Sequence, residues 1–133
     1  MKINKVAIIG FGSIGKRHFE ISKDLLPRSE IAILTRKKLK KIPDGAKYNY
    51  TMIEEILDFN PQLAVIANPA TQHISAASLL VSEGINLLIE KPISTSSKGL
   101  KDFIRLTKKY NPIIAVGYNL RFLPSLISFK DFL

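Results

Sequence analysis

The 133-residue chain contains no cysteine and no tryptophan. Without thiols there is no disulfide, no thiolate nucleophile and no cysteine metal site, and no metal is expected. Long apolar runs are missing too. No stretch approaches the roughly 18 residues that would cross a bilayer, so no membrane partner is expected. Met1-Lys2-Ile3-Asn4-Lys5 precedes only a short apolar stretch that ends at Gly10, less than a signal-peptide core requires. A cytoplasmic location is the simplest expectation. Acidic residues are the scarce charge: 11 Asp+Glu stand against 20 Lys+Arg, a formal net charge of +9. That balance admits anionic partners without naming one. Nucleic acid is set aside, because no nucleic-acid motif is present and the basic residues are not interleaved with aromatic ones.

Apolar residues make up 46% of the chain and charged residues 23%, enough apolar surface for one folded domain. The segments alternate between two kinds. Apolar runs, mostly β-branched, predict strands at Ile3–Ile9, Ile31–Leu34, Leu63–Ala67, Ile85–Ile89 and Ile113–Val116, with a shorter one at Lys47–Tyr50. Between them, helical spacing links Ile14, His18, Ile21 and Leu25; then Ile53, Ile56 and Leu57; then Ile74, Ala77, Leu80 and Val81; then Leu100, Phe103, Ile104 and Thr107. Asn60-Pro61, Gly84 and Asn111-Pro112 are stop signals, and Ser94–Ser97 offer N-caps for the fourth helix. Near-continuous apolar strands separated by helices imply βαβ units. The expected fold is an α/β, Rossmann-type, doubly wound and mostly parallel sheet with helices on both faces. From Pro124 a further helix is expected to run to Leu133, apolar at Leu126, Ile127, Phe129, Phe132 and Leu133.

Gly10-Phe11-Gly12-Ser13-Ile14-Gly15 fits G-x-G-x-x-G where it carries meaning, directly after the first strand and at the opening of the first helix. Gly10 permits the tight turn, Gly12 lets the backbone approach a pyrophosphate, and Gly15 lets helix and strand pack closely. The N–H groups of the helix start would face the phosphates. A dinucleotide site of this kind usually carries a carboxylate at the end of the second strand for the ribose hydroxyls. Here that strand ends in Leu34-Thr35-Arg36-Lys37, without one. Thr35 can hydrogen-bond a 2′-phosphate and Arg36 can pair with it through a charge-assisted fork, with Lys37 beside them. NADP is therefore favoured and NAD remains possible. The alternative for Arg36–Lys41 is a solvated basic loop.

Two further segments follow strands at the sheet edge where ligands bind in open α/β folds. They are Asn68-Pro69-Ala70-Thr71-Gln72-His73 and Glu90-Lys91-Pro92. With the glycine loop and Tyr118-Asn119-Leu120-Arg121-Phe122, their spacing over residues 10 to 122 resembles the Gfo/Idh/MocA family, relatives of glucose–fructose oxidoreductase and inositol dehydrogenase. The resemblance implies an NAD(P)-dependent oxidoreductase acting on a small polar substrate such as a sugar or cyclitol. It implies that Lys91 lies near nicotinamide and substrate and assists proton transfer, and that Glu90 helps position the loop and the cofactor. Asn68, Pro69 and His73 match the loop beside the nicotinamide half, with Asn68 standing where Thr is often found. Asn119 and Arg121 match a substrate-side shelf, or else interdomain packing. Residues 1–117 would form the dinucleotide-binding domain and 118–133 the entry to a truncated substrate domain, since family members are much longer. A homo-oligomer is expected through the apolar segment or a sheet edge. A non-catalytic dinucleotide-binding module is the alternative function. His18 reads as structural.

Overall fold

The computed structural model describes residues 2–132. In chain order it contains β1 (Lys5–Ile9), α1 (Ser13–Leu25), β2 (Glu30–Leu34), β3 (Tyr48–Tyr50), α2 (Ile53–Phe59), β4 (Leu63–Ile66), α3 (His73–Ser82), β5 (Asn86–Ile89), α4 (Leu100–Tyr110), β6 (Ile114–Val116) and α5 (Pro124–Phe132). Short 3-10 turns at Ala70–Gln72 and Asn119–Phe122, not expected from the sequence, precede α3 and α5. The strands form one sheet in the order β3-β2-β1-β4-β5-β6, and every pairing is parallel. This is the expected Rossmann-like α/β fold.

The period-two alternation of strand side chains sorts the core into two layers. Val6 and Ile8 of β1 join Ile31, Ile33 and Val65 around Phe19 of α1. Ala7 and Ile9 point the other way, toward Ile56 and Phe59 of α2, Ala77 and Leu80 of α3, and Phe103 of α4. Burying each large apolar side chain in these layers contributes about 1.5–3 kcal/mol. The chain runs outward from β1 through β2 to β3, then returns to lay β4 on the other side of β1. This reversal opens a crevice beyond the carboxyl ends of β1 and β4.

The ends of several elements differ from the sequence expectation, each for a local reason. β1 begins at Lys5 and not Ile3, because the N–H groups of Asn4 and Lys5 both donate to the Gln62 side chain, at 2.9 Å. α4 is not capped by the serines. Gly99, in the left-handed region at φ 76°, is its N-cap, and Ser94 turns its hydroxyl to the Ser96 carbonyl at 2.6 Å. Asn60 and Asn111, at φ 52° and 50°, end α2 and α4 just before their prolines. α5 is present over Pro124–Phe132, and Leu133 lies outside the described residues. No residue of α5 is buried, and Phe132 is 87% exposed.

Candidate functional site

The turn from β1 to α1 is built almost wholly from backbone. The N–H of Gly10 donates to the Leu34 carbonyl at 2.9 Å, extending the sheet by one residue. Gly10 then takes φ +92°, and a Cβ there would lie 2.6 Å from the Asn68 backbone. A Cβ on Gly15 would lie 2.1 Å from the Gly10 carbonyl oxygen. Gly12 differs from both: a Cβ there would meet nothing within 4 Å. Two of the glycines are thus required by the fold itself, while Gly12 faces open space at the N-terminus of α1. Of the intervening residues, Ser13 begins α1. Phe11 sends its ring into the core, edge-on to Phe19 with centroids 5.6 Å apart, so only its backbone remains at the turn.

At the end of β2, Asn49 of β3 organises the basic loop. Its side-chain oxygen accepts the Leu39 N–H at 2.7 Å, and its amide nitrogen reaches the Thr35 hydroxyl at 2.7 Å. Thr35 in turn donates its hydroxyl proton to the Lys37 carbonyl at 2.7 Å. In this arrangement Thr35 shapes the loop, and its proton is not offered outward. Arg36 and Lys37 are exposed and form no salt bridge among the described residues. No carboxylate stands at the end of β2.

Beyond β4 and β5 lies a cleft of about 270 Å³ lined by Ile14, Asn68, His73, Glu90, Lys91 and Asn119, with Ala67 and Ala70. Five of the residues expected at the site (Asn68, His73, Glu90, Lys91 and Asn119) therefore converge with Ile14 of the glycine turn. A larger and more open groove of about 440 Å³ lies beside α4 and β6, remote from these groups. The buried His73 ring ties two walls of the cleft together: Nδ1 lies 2.9 Å from the Pro92 carbonyl oxygen and Nε2 2.8 Å from that of Asn68. The peptide bond between Lys91 and Pro92 is cis. The Asn68 side-chain oxygen is buried with no hydrogen-bond partner among the described residues. A buried acceptor of this kind carries a desolvation cost until a donor reaches it. Pro69 and Arg121 do not line the cleft. The Arg121 guanidinium lies over the Phe122 ring, 5.5 Å from its centroid.

Sequence reasoning gave three residues no role at the site, and read His18 as structural. His18 of α1 places Nε2 2.7 Å from a carboxylate oxygen of Glu90. Gly117, after β6, lies under the same carboxylate, where a Cβ would approach an oxygen to 2.9 Å. Asn49 is the third. For His18 and Asn49 the only signal was a polar residue on a face that must be covered.

The fit to a dinucleotide rests on these features together: open space at Gly12, the N-terminus of α1 beside it, exposed cations after β2 and a buried acceptor in the cleft. Comparison with known proteins agrees. The 4-carboxy-2-hydroxymuconate-6-semialdehyde dehydrogenase of Sphingobium sp. strain SYK-6 is 25% identical over 126 residues, which is 91% of this chain and 40% of that protein. The chain thus spans about 40% of the length of this curated relative. Among solved structures, myo-inositol 2-dehydrogenase from Lactobacillus plantarum superposes with a TM-score of 0.87 at 22% identity, over 98% of this chain and 41% of that one. Scyllo-inositol dehydrogenase from Lactobacillus casei, solved with NAD(H) and scyllo-inositol, gives 0.82 at 17% identity, over 98% and 41%. These two likenesses establish the fold. A family model described as an oxidoreductase family with an NAD-binding Rossmann fold matches residues 4–118, and the chain belongs to that family, Gfo/Idh/MocA.

Proposed function

We propose that the chain binds NADP in preference to NAD. We further propose that it serves an oxidoreductase passing a hydride between the nicotinamide and a carbon bearing a hydroxyl or carbonyl in a sugar, cyclitol or related compound. The observation that carries this reading is the alignment of the open Gly12 turn with the cleft holding Lys91, since Ile14 belongs to both. The nicotinamide, when bound, supplies the hydride acceptor or donor. The ammonium of Lys91 polarises a substrate carbonyl and gives a proton to the developing alkoxide. The buried Asn68 oxygen suits an N–H donor entering the cleft. Arg36, exposed after β2 with no carboxylate beside it, suits a 2′-phosphate, with Lys37 adding charge.

In this reading residues 1–117 are the dinucleotide domain and residues 118–133 lead toward a substrate-binding one. The exposed apolar side chains of the latter segment, Phe122 and Phe129 among them, serve association with that domain or with a second copy of the chain. Sedimentation velocity checks the second case: a monomer at high concentration counts against self-association. A non-catalytic dinucleotide-binding module is the second reading. It is favoured by the position of Arg121, which leaves Asn119 alone of the two substrate-side residues at the cleft. Hydride transfer to NADP from any of a panel of sugars and cyclitols decides for the enzyme.

Titration with NADPH and NADH, followed by nicotinamide fluorescence, tests the binding. NADPH is expected to bind more tightly. Arg36→Ser is expected to weaken NADPH about tenfold, or ~1.4 kcal/mol, and to leave NADH unchanged. Equal affinities in the wild type retire the phosphate assignment. No binding of either retires the whole reading.

A further inference from the structure

Glu90 is gripped from two sides. One carboxylate oxygen meets His18 Nε2 at 2.7 Å, with the two side chains 16% and 14% exposed. The other accepts the backbone N–H of Lys91 at 3.2 Å. Gly117 lies against the carboxylate, where a Cβ would come within 2.9 Å of the oxygen that meets His18 and require it to shift. The bond from His18 spans 72 residues of sequence and joins two elements with different tasks. α1 carries the glycine turn at its N-terminus, and the residue after Glu90 is Lys91. With its proton on Nε2 the ring donates to the carboxylate oxygen. Hydrogen bonds to an ionised partner are the shorter and stronger kind, and this one is largely shielded from water.

We infer that His18 is a positioning residue. It holds Glu90, and through Glu90 the backbone of Lys91, at a fixed distance from the N-terminus of α1. The phosphate end and the nicotinamide end of the site are thereby kept in register. The inference rests on the dinucleotide reading and adds a strut to it. It also gives Gly117 a place: a Cβ there would press on the carboxylate oxygen that meets His18.

The test uses the whole chain and two probes, NADPH and 2′-phospho-ADP-ribose, which lacks the nicotinamide. His18→Ala is expected to weaken NADPH about tenfold and abolish the rise in nicotinamide fluorescence on binding, while 2′-phospho-ADP-ribose changes by less than about twofold. His18→Gln, which can present an amide N–H in place of the ring N–H, is expected to restore most of the loss. Gly117→Ala, acting on the same carboxylate from the other side, is expected to reproduce His18→Ala. Thermal melts establish that each variant is folded. Equal losses for both probes would make His18 merely structural and overturn the inference, as would unchanged NADPH binding and fluorescence in both His18→Ala and Gly117→Ala. A wild-type chain that binds neither probe, nor NADH, would instead defeat the dinucleotide reading, and the inference would fall with it.

Discussion

At the glycine turn, consecutive residues Gly10–Gly15 are arranged through backbone atoms, and two of their glycines have no room for a Cβ. At the Lys91 end, the cleft draws side chains from the loop after β4, the start of α3, the end of β5 and the turn after β6. A site made of backbone resists most substitutions and fails where a Cβ has no room. A site made of side chains from separate elements depends on residues that hold those elements together, such as His18 and His73. The first kind is robust to drift in sequence, and the second lets each contact be retuned.

The sharpest break in that contrast is expected at Gly15→Ala. Its Cβ would collide with the Gly10 carbonyl oxygen at 2.1 Å, backbone against a turn that cannot yield. A loss of about 3 kcal/mol in a denaturant melt is expected; an unchanged midpoint would show that the turn is soft. Next comes His73→Leu, which removes the donor between the carbonyls of Asn68 and Pro92. Leaving a carbonyl unsatisfied in a buried place costs ~1–3 kcal/mol, and dinucleotide binding at the cleft end should weaken with it. A variant as stable as wild type would mean the walls of the cleft hold without the tie.

Gly12→Ala should separate folding from binding. With open space around the new methyl, stability is expected to stay within about 1 kcal/mol. Dinucleotide affinity should drop about tenfold, ~1.4 kcal/mol, by calorimetric titration. An equal loss in both would place Gly12 with Gly15. The smallest effect is expected at Glu55, outside both ends. The N–H groups of Thr51 and Met52, donated to its carboxylate, hold its pKa below the ordinary 4.5, with Lys38 assisting. A depressed folded-state pKa contributes stability above the unfolded value that is lost as pH falls through the folded one. Acid melts below about pH 4.5 should therefore be shallower in Glu55→Gln than in wild type. Parallel curves would remove the carboxylate from the cap of α2.

Much of this architecture was legible along the chain. Runs such as Val6–Ile9 and Leu63–Ile66 are apolar on both faces, which only a covered parallel strand requires. Asn60 and Asn111 before proline marked real helix ends, because asparagine tolerates the left-handed region and proline cannot continue the turn. Ser94–Ser97 misled, since serine hydroxyls bond nearby carbonyls as readily as they cap a helix. Within the site, the glycine turn was read from its spacing. Lys91, His73 and Asn119 were placed through family resemblance, as their spacing alone says nothing of a shared cleft.

By itself the sequence determined the alternation of strand and helix, the turn at Gly10–Gly15 and the absence of a carboxylate after β2. These depend on backbone freedom and residue type over a few neighbours, which a linear text records. Only the tertiary structure decided that His18 meets Glu90, that Asn49 takes the Thr35 hydroxyl as a partner, and that Arg121 stays off the cleft. The first two contacts follow from the order β3-β2-β1-β4-β5-β6. Crossovers and close packing of whole elements set that order, and no local spacing encodes which distant side chains will face one another.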